Sequence, residues 1–151
     1  TPMRNAFSLI ELIFVIVLIG VLSGIGFYLS RPDYARQDAQ YTLLMLKEAR
    51  YRALGFDAYD PSGCVTLTPN ALSNNATPTH TIRSTITIDY PTNPNLTTLC
   101  FDGIGRPHEG NSITLNTLIQ TDMNITFKNS DKNSTIRLFN GTGYAIIPCN
   151  N

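Results

Sequence analysis

A run of hydrophobic residues near the N-terminus dominates the pattern of the chain. Residues 7–29 read FSLIELIFVIVLIGVLSGIGFYL, and Glu11 carries the one charge in this run. At about 1.5 Å rise per residue the run forms a helix of roughly 34 Å, enough to cross a hydrocarbon core of about 30 Å. The pattern therefore predicts a membrane-spanning helix. A carboxylate at that depth is costly without a partner, which makes Glu11 a candidate functional residue.

The spacing of apolar residues changes after this run. Pro32 either bends one long helix or lets a second helix begin near it. Over 33–54 small and apolar residues recur at helical spacing, and Gly55 supplies a stop signal. We therefore predict an amphipathic helix over 32–55 that packs against a folded domain.

The remainder, 56–151, alternates between short runs rich in β-branched residues and clusters of turn-forming residues. The clearest alternation lies over 80–90, where Ile82, Ile86, Ile88 and Tyr90 share one face. Further strands are predicted over 64–68, 97–102, 112–118, 123–128, 135–139 and 144–149. Polar loops are predicted over 69–79 and 91–95, with turns at 129–133 and at Asn140-Gly141. The predicted fold class is α+β, with a long N-terminal helix packed on an antiparallel β-sheet domain.

Composition narrows the function classes. The chain has 151 residues, and its 11 basic and 11 acidic side chains balance, so no nucleic-acid partner is expected. His80 and His108 are the only histidines in the sequence, and His108 is expected to be exposed in a loop. No nucleophile, carboxylate pair or metal-ligand spacing stands out. We therefore predict no catalytic residue, no metal and no cofactor, and a protein that is not an enzyme.

Three cysteines are present, Cys64, Cys100 and Cys149. Arg4 just before the apolar run favours a cytoplasmic N-terminus, so the rest of the chain would lie outside and could form a disulfide. The two loops that would end at Cys100 differ by only a few tenths of a kcal/mol in closure entropy. Pairing of Cys64 with Cys100 is favoured because Cys149 is near the C-terminus, and the other pairings stay open.

The string around Glu11 points to a family. Arg4-Asn5-Ala6 precedes Phe7-Ser8-Leu9-Ile10-Glu11-Leu12, and this string resembles the N-terminus of type IV pilins and type II secretion pseudopilins. The resemblance implies that a prepilin peptidase cuts between Ala6 and Phe7 and that the new amine of Phe7 is methylated. The family usually has Gly before the cut, so Ala6 is a departure.

The resemblance also implies an architecture and a location. Residues 1–6 would be the leader, 7–31 the transmembrane and assembly helix, 32–55 its amphipathic half and 56–151 a β-rich head. The protein would cross the bacterial inner membrane once, with its head in the periplasm, and would then enter a pilus or pseudopilus. Its partners would be membrane lipid, the peptidase, an inner-membrane assembly platform and other pilins or pseudopilins.

In such a filament Glu11 would neutralise the Phe7 amine of a neighbouring subunit. At an effective dielectric constant of about 20 and a separation of about 4 Å, this attraction is worth about 4 kcal/mol. Pairing within one subunit stays open, because residues four apart lie on one helix face.

Three segments resemble H-type minor pseudopilins, namely the helix end 46–53 and, in the head, 100–107 and 136–149. Some pilus relatives bind DNA through arginines after the last turn, and this chain has Gly143, Tyr144 and Ala145 there. The predicted function is a structural subunit. The alternative is an adhesive or ligand-binding pilin that uses the head loops 69–79 and 91–95.

Five Asn-x-Ser/Thr sequons occur, at Asn75, Asn95, Asn124, Asn133 and Asn140. Asn124 and Asn133 also have an aspartate two residues earlier (Asp122 and Asp131), which resembles the extended sequon of bacterial N-glycosylation. These two residues are the candidate glycosylation sites.

Overall fold

The computed structural model describes residues 8–29, 32–55, 63–68, 71–74, 77–93 and 95–149, with side chains for all of them except 26–29, 71–72, 74 and 77–79. The chain divides into two compact units, Thr1–Pro32 and Asp33–Asn151. The described residues form two α-helices followed by nine strands in two antiparallel sheets. This layout confirms the predicted α+β class.

The first unit contains helix α1, Leu9–Leu29. The helix begins after Ser8, whose carbonyl oxygen accepts hydrogen bonds from the backbone N–H groups of Glu11 at 3.0 Å and Leu12 at 3.2 Å. Judged on the residues that the structure describes, no helix of the protein has both the length and the apolar character needed to cross a membrane.

The second unit begins with helix α2, Tyr34–Ala53. Its N-cap is Asp33, whose side chain accepts a hydrogen bond from the backbone N–H of Arg36 at 3.1 Å. Gly55, with a φ of +90°, follows the helix end. Of the two alternatives at Pro32, the structure therefore has a second helix, which begins two residues after the proline.

The first sheet has the strand order β3-β2-β1-β5-β6, and the second has the order β4-β7-β8-β9. The strands of the first sheet are β1 Cys64–Thr68, β2 Ala71–Asn74, β3 Thr77–Thr81, β5 Thr98–Phe101 and β6 Pro107–Glu109. Those of the second are β4 Thr85–Asp89, β7 Met123–Asn129, β8 Lys132–Leu138 and β9 Ala145–Ile146. Helix α2 packs against strands of both sheets.

The core lies between α2 and the two sheets. Helix α2 buries Ala35, Ala39, Met45, Leu46, Ala49 and Ala53. The sheets contribute side chains such as Phe101 and Phe127, both almost fully buried. Each large apolar side chain removed from water stabilises the fold by about 1.5–3 kcal/mol. The helical spacing seen over 33–54 therefore marks the face that holds the second unit together.

The alternation predicted over 80–90 is confirmed, although strand β4 covers only Thr85–Asp89. Ile82 and Tyr90 are buried, Ile86 and Ile88 are half-buried, and the intervening threonines and Asp89 are exposed. Residues 82–84 separate this strand from β3, so the predicted strand is divided between the two sheets.

Two predicted elements are wrong. Residues 69–79 are not simply a polar loop, because β2 and β3 form a hairpin there, with Thr66 paired to Ser73 and Leu72 to His80. Strand β2 pairs with β1 and β3 pairs with β2, although the sequence of this hairpin shows no hydrophobic alternation. Residues 112–118 are not a strand, because Leu115–Thr117 form a turn of 3₁₀ helix in which the Thr117 hydroxyl accepts a hydrogen bond from the N–H of Thr114 at 3.0 Å.

Two other boundaries moved. Strand β9 is limited to Ala145–Ile146 rather than 144–149. The turn predicted over 129–133 is tighter, because Asn129 already pairs with Lys132 and only Ser130 and Asp131 connect the strands. Ser130 has a φ of +56°, as a two-residue hairpin connection requires.

Candidate processing and assembly site

Glu11 lies in the first turn of α1. A carboxylate there is favoured by the partial positive charge of the helix N-terminus. The Glu11 side chain is exposed in the single chain. The other two processing residues, Ala6 and Phe7, lie outside the described residues, so the cut and the Phe7 amine stay predictions.

The surface of α1 is apolar on every side. Its large hydrophobic residues between Leu9 and Ile25 are exposed by 43% at Val15 to 75% at Leu9 and Ile10. A helix that is hydrophobic all round is ordinarily covered by protein or by lipid. The single chain thus leaves α1 without the cover that its composition requires.

The prokaryotic N-terminal methylation motif matches residues 2–27. The chain carries a prepilin-type N-terminus. This signature belongs to type IV pilins and pseudopilins, and the family resemblance is confirmed on that segment. Comparison of the chain with curated proteins and with solved structures finds no significant match. The prepilin-type segment contains Ala6, Phe7 and Glu11 together with most of α1.

The chemistry available to a prepilin-type segment is limited and specific. Cleavage before a methylated residue creates a cationic amine at the start of an apolar helix. Glu11 follows Phe7 by four residues, about one turn of a helix. Either charge is costly to bury alone, whereas the pair is tolerated. Under the predicted cut, the segment would combine one acid and one new base in an otherwise uncharged environment.

The disulfide candidates are resolved in the head. Cys64 in β1 and Cys100 in β5 are direct register partners, and their sulfur atoms are bonded at 2.05 Å. Cys149 is an exposed free thiol. The bond links β1, the first strand after α2, to its neighbouring strand β5. Among the described residues, no three His, Cys, Asp or Glu side chains lie close enough together to hold a metal ion.

The prediction that His108 is exposed in a loop is wrong. His108 is in strand β6 with 2% of its surface exposed. Its Nε2 lies 3.4 Å from Oδ2 of Asp102, and its Nδ1 lies 3.1 Å from the hydroxyl of Thr117. The sequence did not predict strand β6, because its three residues Pro107–Glu109 show no alternation of apolar side chains. The ring joins two turns rather than facing solvent.

Asp102 is the centre of this group. Its Oδ1 accepts a hydrogen bond from the N–H of Arg106 at 2.7 Å, and its Oδ2 accepts one from Arg106 Nε at 2.8 Å. Burial raises the pKa of Asp102, but hydrogen bonds from Arg106 and His108 outweigh it and hold the pKa below the ordinary aspartate value. The ionised carboxylate of Asp102 therefore stabilises the turn over 102–106.

A second buried aspartate, Asp38, joins α2 to the sheets. Its Oδ2 accepts hydrogen bonds from the N–H groups of Arg83 and Ser84 at 2.9 Å each and from the Ser84 hydroxyl at 2.7 Å. Its Oδ1 lies 3.3 Å from His80 Nε2, and the His80 ring stacks on Tyr41 at 4.0 Å between centroids. Sequence reasoning missed this role. The available signal was an acid on the apolar face of α2.

The three segments that resemble H-type pseudopilins meet at the end of α2. Arg50 Nε donates a hydrogen bond to the carbonyl oxygen of Thr142 at 2.8 Å. A Cβ at Gly143, which has a φ of +63°, would collide with the carbonyl oxygen of Gly105. The helix end, the 102–106 turn and the last hairpin therefore form one packed corner, which neither the spacing nor the composition of these segments revealed.

Proposed function

We propose that this protein is a structural subunit, a pilin or pseudopilin that polymerises through its N-terminal helix. One observation carries the proposal: the prepilin-type motif over 2–27 coincides with a helix whose apolar side chains are exposed on all sides. Neighbouring copies of the same helix supply the cover that α1 lacks. The α+β head, Asp33–Asn151, then forms the outer part of the filament.

Before assembly, the segment 7–29 holds the protein in the inner membrane. The prepilin-type motif over 2–27 supports this stage. Arg4 keeps the N-terminus in the cytoplasm, where the peptidase acts, and the head lies in the periplasm. Membrane lipid, the prepilin peptidase, an assembly platform and other pilins or pseudopilins are the partners. The resemblance of residues 46–53, 100–107 and 136–149 to H-type pseudopilins supports a minor subunit.

Glu11 sets the height at which a subunit enters the filament. A subunit placed correctly meets the Phe7 amine of its neighbour, at an attraction of about 4 kcal/mol. A subunit placed one turn away leaves two charges unpaired among apolar side chains. The pair therefore selects one axial position out of many that apolar packing alone permits.

The peptidase step is tested by the mass and the N-terminal peptide of the protein purified from its host membranes. We expect a chain that begins at Phe7 and carries one methyl group on its amine. The variant Ala6→Gly restores the residue usual before the cut and should be processed at least as fast, whereas Ala6→Leu should accumulate uncut. A mature protein that retains Met3–Ala6 would contradict the proposal.

A further inference from the structure

The five sequons differ in the exposure and the hydrogen bonding of their asparagine side chains. Asn140 is engaged, because its side-chain Nδ2 donates a hydrogen bond to the carbonyl oxygen of Gln120 at 2.6 Å. Asn75 lies outside the described residues. Asn95, Asn124 and Asn133 are exposed. Exposure is the first requirement for attachment of a bulky glycan, so three acceptors remain, and of these only Asn124 and Asn133 have an aspartate two residues earlier.

Asn124 is paired with a neighbouring strand on each side. It lies within strand β7 and pairs with Asp89 of β4 and with Arg137 of β8. An enzyme that draws the asparagine and the two residues after it into an active site would have to break two ladders. The aspartate two residues before it, Asp122, is also engaged, since its Oδ2 accepts a hydrogen bond from Arg137 at 2.9 Å. Once the head has folded, this sequon is a poor acceptor.

Asn133 is placed differently. It is the second residue of β8, two positions after the turn of Ser130 and Asp131, and it pairs with Lys128 on one side. Strand β9 reaches the other side of β8 only at Arg137 and Leu138. The backbone at Asn133 therefore lies at the turn end of a hairpin and is paired on one side only.

The space around this sequon is also open. A groove of about 690 Å³ runs between α2 and the start of β8, and residues 133–135 line it. Asp131 is exposed at the turn. The third residue of the sequon, Thr135, is half-buried and shares a hydrogen bond with the Thr126 hydroxyl at 3.1 Å. Ser134 is buried, so release of the whole sequon requires opening of the hairpin at its turn, over the four pairs from Asn129–Lys132 to Thr126–Thr135.

We propose that Asn133 is an N-glycosylation site of the head, an inference that rests on the proposed export of the head. The donor is an oligosaccharide linked to a lipid diphosphate. The Nδ2 atom of Asn133 forms a bond to the anomeric carbon, the bond from that carbon to the diphosphate oxygen breaks, and the lipid diphosphate leaves with the electron pair while the amide loses one proton. The exposed carboxylate of Asp131 supplies an anchor for the transferase.

Peptide mapping by mass spectrometry of the full-length protein from its host tests the inference. Trypsin cuts after Lys132 and Arg137, so Asn133 and Asn124 appear in different peptides. We expect a glycan on the peptide 133–137, its loss in Asn133→Gln, and its retention in the matched control Asn124→Gln. An unmodified Asn133, or a glycan on Asn124 in its place, would overturn the inference.

A reconstituted reaction tests the structural reason. The folded full-length protein in detergent is mixed with a bacterial oligosaccharyltransferase and a lipid-linked oligosaccharide. Asn133 should be modified much faster than Asn124, and Asp131→Asn should slow the reaction about tenfold, as expected for loss of one charge-assisted hydrogen bond. Equal rates at the two asparagines would contradict the accessibility argument.

The location of the head separates the two proposals. External protease applied to cells with a permeabilised outer membrane should digest the head. An accessible head without a glycan contradicts only the glycosylation site, whereas a head that stays protected in the cytoplasm contradicts both the proposed function and this site.

Discussion

At the scale of single residues, two buried aspartates each connect two elements of the head. Asp38 joins α2 to the start of β4, and Asp102 joins the 102–106 turn to β6. Both accept several hydrogen bonds, so each satisfies donors that would otherwise be buried without partners. Removing such an acceptor costs more than the bonds themselves are worth, because the donors stay behind.

We expect Asp38→Ala to destabilise the head by about 2–4 kcal/mol, because it leaves the Ser84 N–H and hydroxyl and the Arg83 N–H without their acceptor. Urea unfolding followed by circular dichroism measures the loss. The exposed Asp131→Ala is the matched control and should change stability by no more than about 0.5 kcal/mol. Equal stability of the two variants would show that the Asp38 bonds are energetically unimportant.

The pH dependence of stability reports on Asp102. Its pKa in the folded head is lowered by Arg106 and His108 relative to the unfolded chain. A lowered folded-state pKa gives stability that is present above the unfolded value near 3.9 and is lost as the pH falls through the folded value. We therefore expect the unfolding free energy to drop on acidification below about pH 4.

The variant Asp102→Asn isolates this contribution. Asp122 also has a lowered pKa, because Arg137 and the N–H of Asn140 donate hydrogen bonds to it. Both carboxylates therefore contribute to the pH dependence of the unfolding free energy of the wild type. Asp102→Asn should be less stable at neutral pH and should show a shallower acid limb. An acid limb identical to that of the wild type would refute the role given to Asp102.

At the scale of elements, the disulfide joins neighbouring strands β1 and β5 of the first sheet. The cysteines are 36 residues apart, and a loop of that length restricts the unfolded chain by about 3–4 kcal/mol. We expect Cys64→Ser and Cys100→Ser each to lower the unfolding free energy by about that amount. Cys149→Ser, at an exposed free thiol, should be neutral within about 0.5 kcal/mol, and a loss as large as that of the other two would contradict the pairing.

The secondary-structure elements differ in how well the sequence pattern predicts them. Helix α2 and strand β4 follow from their periodicity, because each buries one face against the core. The β2–β3 hairpin does not follow, since its sequence lacks hydrophobic alternation; β2 pairs with β1, and β3 pairs with β2. His108 was misplaced for a related reason: its partners Asp102 and Thr117 lie in two other turns, and only the fold brings them together.

At the scale of the whole molecule, the chain consists of two units with different surfaces. The first exposes apolar side chains throughout α1, whereas the second buries its own core. We expect the fragment 32–151 to be soluble and monomeric without detergent, as measured by sedimentation. Aggregation of this fragment would show that the head depends on the N-terminal helix and would contradict the two-part architecture.

The prepilin-type N-terminus gives the first unit its function in this account. The predicted cut and residues 2–6 of the predicted leader lie within residues 2–27, which carry the motif. How subunits stack depends on contacts between copies, which a single chain does not contain. The charge pair between Glu11 and the Phe7 amine is the step on which the proposed assembly depends.

Incorporation of Glu11→Ala into sheared filaments tests that step most directly. We predict that the variant is cut normally, stays in the membrane, and is depleted from filaments about a thousandfold, as expected for loss of about 4 kcal/mol. The control Glu48→Ala, which changes an acid of α2, should be incorporated like the wild type. Filaments that contain Glu11→Ala at the wild-type level would contradict the account.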